Sequence, residues 1–572
     1  MTILRYLLAI AGLVGAGILP ARRSIPGPAA VPLSVMFTVA GLGFGATTAL
    51  VVPVPPMLAG VAVLFVMNAI AWRHVPTWRH QVGAPGGRAL AVWAFAGAGA
   101  PMIVGSLTPA TMFDARVTWF LHAHWLSGSQ LRLLSAIRSP AFRYLNPDYP
   151  PAIPSAIAAV WRVTTTRDPE LAQFVVAVLT VCAIAFSSII LADMAADAAT
   201  GPGRSPSFRF HWWVPVVFTA AAVTVVGEYG YNGGIDGFLA CSFVALVLAL
   251  LRPPPSMATG AVMALALSTA LAKNEGLALV GVTALVLSAY GPIRQRIGRA
   301  RLRALWACVA IGGSWTVLVR ARGATGSYSA TNVSAAVSVG TSLVTKTRIA
   351  AASISGQIIG ALLIFVVALS LDRFRSFSQA RRAADVPSTV DDERAQTAIV
   401  LGVVAFAGAA ITLTYYLISP NPIRSFLAGS VDRVTMGPKL LFLTAAIVSV
   451  PSFTLLERRR AQGAALALLG LLVVGKAARE VRFRLRPSMI EASQPAGRTD
   501  RCVERQVVAA APIHAKVVVS GEPRWRQRVQ AMTFPRYELV SDDPLHRESG
   551  AYLLSLVNPK ADCPTVNVEL MP

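Results

Sequence analysis

Four polar stretches interrupt long apolar ones in this sequence, and each carries groups that can move protons or hold an anion. The first opens on Asp114-Ala-Arg116, runs through Trp119, His122 and Trp125, and closes on Asn146-Pro-Asp148-Tyr149-Pro-Pro151. The second is Glu228-Tyr-Gly-Tyr231-Asn-Gly-Gly-Ile-Asp236 and the third Lys273-Asn-Glu275-Gly276. The fourth is Ser430-Val-Asp432-Arg433, with Arg424 shortly before it. A carboxylate at a membrane boundary, as Asp114 is placed, stays ionised and can accept a proton from an incoming hydroxyl. Lys273, Arg424 and Arg433 are cations at such boundaries, and a guanidinium matches a phosphate geometrically.

Each stretch also has a plainer structural explanation. Asp114 can cap a helix and pair with Arg116. Asp148 can form an Asx turn ahead of two prolines. The glycine-rich run from Glu228 can be a tight turn, with Asp236 capping the next helix. Lys273 and Glu275 can be a structural ion pair. His122 and His124 alone do not make a metal site, and with 7 His and no H-E-x-x-H spacing the sequence implies no metal and no cofactor. No phosphate-binding loop, nucleophile elbow or dinucleotide fingerprint is present.

The elements that must position these groups are membrane helices. Of 572 residues, 55% are hydrophobic and 14% charged, with a mean hydropathy of +0.59. A soluble chain carries about 25% charged residues. The apolar residues form blocks suited to a hydrocarbon core about 30 Å thick. About fourteen such blocks are expected, near 3–20, 31–48, 52–71, 89–107, 170–193, 212–226, 234–251, 257–272, 276–290, 304–320, 350–371, 397–418, 438–455 and 462–477. The first resembles a secretory signal but is read as a retained helix, because Arg22 and Arg23 follow it rather than precede it.

A net charge of +24 suggests nucleic acid in a soluble protein, but here the Arg and Lys residues collect in short loops between apolar blocks. That is the positive-inside pattern, so no nucleic-acid partner is expected and contact with membrane lipids is. If the blocks alternate, Arg22-Arg23, 73–88, 204–209, 294–303, 373–382 and 458–460 all fall on one side, assigned to the cytoplasm. The loops 108–169, 227–233, 273–275, 321–349 and 419–437, which hold the unusual polar residues, then lie outside with the tail. Cysteines introduced at Ser329 and Ser378 are therefore expected to label from opposite sides of the membrane, and labelling from the same side would end this topology. The sequence predicts amphipathic pieces in the first loop, one from Val117 to Trp125 lying in the membrane interface and one carrying Leu131, Leu134 and Ile137.

The tail, 478–572, is expected to be a small α/β domain, with strands at 515–519, 537–540 and 552–557 and a helix near 523–531. Cys182, Cys241 and Cys308 lie in apolar blocks, whereas Cys502 and Cys563 lie in the tail, where export favours a disulfide between them.

An acid directly after a membrane block, an amphipathic outer loop, a Pro-Asp-Tyr-Pro-Pro turn, Lys273-Asn-Glu275-Gly276 and Ser430-Val-Asp432-Arg433 together resemble the GT-C glycosyltransferase superfamily. The similarity is to its bacterial branch of protein mannosyltransferases and aminoarabinose transferases, and it spans roughly 108–437. It implies an α-helical polytopic fold in three parts: additional N-terminal helices at 1–88, a GT-C-like domain at 89–477, and the exported domain at 478–572. It implies transfer of a sugar from a polyprenyl-phosphate donor to a glycan or lipid acceptor, outside a bacterial cytoplasmic membrane. Asp114 would be the general base, Lys273, Arg433 and Arg424 the phosphate ligands, and Arg116, His122, Asp148, Tyr149, Glu228, Asp236 and Glu275 substrate-positioning groups. Two features depart from the family: three apolar blocks precede the one that should be first, and Ala115 stands where a second acid is common. The competing reading is a transporter or flippase of a lipid-linked intermediate, which would carry its polar groups near the bilayer midplane.

Overall fold

The computed structural model describes residues 2–25, 27–73, 85–107, 115–138, 146–199, 213–252, 257–324, parts of 360–370, 389–417, 433–449, 495–512, 515–520, 538–539, 551–557 and 565–571. The chain is mainly α-helical. Its helices are α1 (Thr2–Gly15), α2 (Ile18–Ser24), α3 (Ala30–Thr48), α4 (Pro56–Arg73), α5 (Pro85–Ser106), α6 (Leu121–Leu126), α7 (Gln130–Arg138), α8 (Ala152–Thr164), α9 (Pro169–Ala199) and α10 (Trp213–Val226). They continue with α11 (Asp236–Leu251), α12 (Thr259–Ala270), α13 (Asn274–Ala289), α14 (Gly291–Ile297), α15 (Arg299–Ala321), α16 (Thr389–Leu417), α17 (Met436–Ser449) and, in the tail, α18 (Pro495–Ala510).

Among the described residues, 5 helices are long and apolar enough to cross a membrane, or up to 7 if two bent pairs each count as one span. Six further apolar helices are shorter, including α8, α11, α12 and α17. The blocks expected at 350–371 and 462–477 fall largely or wholly outside the described residues. α13 turns by 109° into α14 across Tyr290.

The N-terminal helices are built into the bundle rather than added to its side. α3 packs against α4, α8, α9 and α12, and 16 of its 19 residues are buried. Glycine makes the close approaches possible, as small residues do where membrane helices meet. A Cβ at Gly45 would lie 2.3 Å from the Gly60 backbone of α4. A Cβ at Gly43 would lie 2.9 Å from Ala152 and 3.3 Å from Leu271, so α3 touches the turns on either side of the candidate site.

The first loop differs from its sequence reading. Residues 115–120 form a wide helical turn continuing into α6, and every residue of α6 is buried. In place of the interface position expected for 117–125, residues 118–125 are buried against protein, with α6 packed on α8. Its aromatic residues found protein partners to fill their surface. In α7, Leu134 and Ile137 are buried as the spacing predicts, but Leu133 is buried with them and Leu131 is 76% exposed. α8, placed by the sequence inside an outer loop, is an apolar helix packed against α1, α3 and α9.

The tail carries a four-stranded sheet in the order β2 (Glu538–Leu539), β1 (Lys516–Val519), β3 (Tyr552–Val557), β4 (Thr565–Leu570). β1 runs parallel to β2 and β3, and β4 is antiparallel to β3. Val503, Val507 and Ala511 pack with Val517, Val519 and Leu554 to form a separate small core. The three expected strands are present. β4 and α18 are additions, and the helix expected near 523–531 lies outside the described residues. Cys502 is disulfide-bonded, and Cys182, Cys241 and Cys308 are free. Cys563, its expected partner, lies outside the described residues.

A buried charge cluster as candidate functional site

The site forms where tight turns between apolar helices bring charged residues to one end of the bundle. α12 ends at Ala270 and α13 begins at Asn274, leaving a minimal connection. Gly276 permits it, because a Cβ there would stand 2.1 Å from the carbonyl oxygen of Thr269. Lys273, in extended backbone, precedes the first residue of α13, and Glu275 sits in its first turn, where a carboxylate complements the helix dipole.

Asp236 is the first residue of α11, and the cap position ahead of it is held by Ile235, which has no side-chain acceptor. Lys273 Nζ lies 2.9 Å from Asp236 Oδ1 and 3.2 Å from Glu275 Oε1. Arg433, three residues ahead of α17, places Nε 3.5 Å from Asp236 Oδ2 and its guanidinium carbon 5.9 Å from the centre of the Tyr229 ring. Lys273, Asp236 and Glu275 have side chains 2–5% exposed, and Arg433 is 20% exposed. In so dry a place the ionised carboxylates require these cations. Lys273 is enclosed between two acids, whereas Arg433 stands at the rim.

Asp148 approaches from the turn ahead of α8. Asn146 takes the left-handed backbone conformation, at φ 51°, and accepts a hydrogen bond from the Tyr149 N–H at 2.9 Å. The Trp315 indole donates to the Asp148 carbonyl at 3.2 Å, and the Ala152 N–H donates to Leu271 at 2.9 Å, tying this turn to the Lys273 turn. The Asp148 carboxylate is fully buried and neither oxygen finds a well-aligned hydrogen-bond donor. Arg320 lies 3.9 Å from Oδ2. Burial pushes the Asp148 carboxyl above the usual carboxylate range. Glu275 adds to that rise, and its own backbone N–H and Arg320 offset part of it.

The remaining candidates are placed unevenly. Tyr149 stacks on Trp119 with ring centres 5.1 Å apart, and His122 stacks on Trp125 at 4.6 Å. His122 is buried, and burial, with Arg167 and Arg132, pushes His124 down to about 2, so it is neutral at physiological pH. Glu228 is exposed on the turn that begins the glycine-rich run. Asp114 and Arg424 lie outside the described residues, as does the side chain of Arg116. Ala115, which follows Asp114 in sequence, packs on the Gly233 turn: a Cβ at Gly233 would lie 2.8 Å from that of Ala115.

Sequence reasoning missed Arg320 and Trp315 in the site, and a buried lysine, Lys439, elsewhere in the bundle. Arg320 closes a membrane helix, where a lone basic residue is unremarkable. Lys439 is 4% exposed within α17, and a buried lysine inside an apolar block was a signal available for the taking. Among the described residues no three His, Cys, Asp or Glu side chains gather as metal ligands. No protein-family model matches the chain, and no curated protein matches it either.

Proposed function

We propose that this chain is a membrane glycosyltransferase of GT-C type, moving a sugar from a polyprenyl-phosphate donor to a glycan or lipid acceptor on the outer face of the cytoplasmic membrane. The observation that carries the reading is the gathering of Asp236, Lys273, Glu275 and Arg433, from turns far apart in sequence, into one cluster at helix ends, with Asp148 near enough for Glu275 to raise its carboxyl. A lipid-borne phosphate presents itself at such a level. A transporter would be expected to hold its charges at mid-span.

In this mechanism Asp114 accepts the proton of the acceptor hydroxyl while its oxygen attacks the anomeric carbon. The bond from that carbon to the phosphate oxygen breaks, and the polyprenyl phosphate leaves with the electron pair. Arg433, the more open cation, stabilises the charge that develops there, and Arg424 is assigned as a second phosphate ligand. Lys273 holds Asp236 and Glu275 in place, and through Asp236 it orients Arg433. Incubating the purified protein with radiolabelled polyprenyl-phosphate sugars is expected to give transfer or hydrolysis with one of them. A panel that yields neither, with protein shown to be folded, would overturn the assignment.

A further inference from the structure

α15 is one of the 5 helices long and apolar enough to cross a membrane and, with α4, the least enclosed of them. It begins at a sharp corner. α13 turns by 109° into α14, and Gly298, at φ 83°, turns the chain again into Arg299. Ile293 and Ile297 bury one side of α14, and Arg296 reaches Thr397 Oγ1 of α16 at 3.3 Å, which holds the corner against the bundle. One face of α15 is left open. Arg299, Arg303, Trp306, Ala310 and Val317 are all exposed, at i, i+4, i+7, i+11 and i+18, a spacing that keeps them on one side of a helix. Arg301, Leu305, Cys308, Trp315 and Val319, on the opposite side, are buried.

The open face is graded along its length. Two guanidinium groups come first, then an indole, then small and branched apolar side chains. At a rise of about 1.5 Å per residue, Trp306 lies about 4.5 Å and Ala310 about 10 Å beyond Arg303 along the axis. That is the order of a phospholipid from headgroup to acyl chains, and tryptophan favours the boundary between the two. The Trp306 indole N–H donates to Ser288 Oγ of α13 at 3.2 Å, which fixes the ring on this face. Charge selects the headgroup. No Asp or Glu stands between Glu275 and Asp372 in the sequence, and among the described residues no carboxylate pairs with Arg299 or Arg303. We propose that this face of α15 is a binding site for an anionic phospholipid, its phosphate on Arg299 and Arg303 and an acyl chain along Trp306, Ala310 and Val317. The other end of α15 carries Arg320 beside Asp148, so the lipid site lies a helix length from the charge cluster. The inference is independent of the sugar-transfer reading.

The test uses the full chain in phosphatidylcholine vesicles, with brominated phosphatidylglycerol or brominated phosphatidylcholine added in increasing proportion. Bromine on the acyl chains quenches tryptophan on contact. The Trp306 signal is the difference between the parent and Trp306→Phe, which keeps an aromatic ring at this exposed position. Half-quenching is expected at a proportion of phosphatidylglycerol lower than that of phosphatidylcholine by about fivefold or more, since one arginine at an anionic surface is worth about that factor. The double variant Arg299→Gln, Arg303→Gln should make the two lipids equal. Both side chains are exposed, so the change leaves the fold intact. Arg73→Gln, which removes an exposed arginine from the end of α4, should keep the preference. Equal quenching by the two lipids in the parent would overturn the site. So would a preference that survives in the double variant, or one lost as fully in Arg73→Gln.

Discussion

Replacing Lys273 with methionine is expected to destabilise the protein by about 3–5 kcal/mol, the usual cost of removing one partner from a buried ion pair. Methionine fits the volume of the lysine stem, so the loss is electrostatic rather than a cavity. Two carboxylates that face Lys273 at 2.9 and 3.2 Å would lose that cation, while Asp236 keeps Arg433 at 3.5 Å. Adding Glu275→Gln removes one of the two carboxylates that lost Lys273 and keeps the Asp236–Arg433 pair, so the double variant should recover more than half of the lost stability. The measurement is unfolding in detergent, comparing parent, single and double variants. A single variant within about 0.5 kcal/mol of the parent, the range of an ordinary surface change, would show that the cluster is better solvated than its burial implies.

Asp114→Asn is expected to leave folding and phosphodiester binding unchanged but to lower turnover by about 100-fold or more, the usual worth of a positioned base. Asn keeps the shape and cannot accept the proton. The motivation is the place of Asp114 at the start of the first polar stretch, one residue before Ala115 on the Gly233 turn that leads to Asp236. Arg433→Ala should behave differently. It removes a charge-assisted contact to the phosphate, so donor binding and the chemical step should weaken together. Full turnover in Asp114→Asn would remove this residue from the mechanism.

The sequence by itself determined that the chain is built of apolar helices, because a 3.6-residue period is unnecessary when a whole helix is buried and hydropathy alone marks it. It also marked Asp148, Asp236, Lys273, Glu275 and Arg433, since a charge flanked by long apolar runs stands out in one dimension. The tail strands were equally legible, because β-branched runs such as Lys516–Val519 bounded by polar residues are local signals. What only the tertiary structure decided is pairing. Asp236 reads as a helix cap from its neighbours, yet its carboxylate turns to Lys273, 37 positions away, because a buried acid gains more from a cation than from a helix terminus. Asp148 reads as an Asx-turn residue, yet Asn146 shapes that turn and the carboxylate is left beside Arg320. α6 and α8 read as parts of an exposed loop, because their amphipathic or short apolar patterns do not say whether lipid, water or protein covers them. The structure packs α6 on α8 and covers α8 with α1, α3 and α9, helices whose small and apolar surfaces no local pattern assigns to a partner.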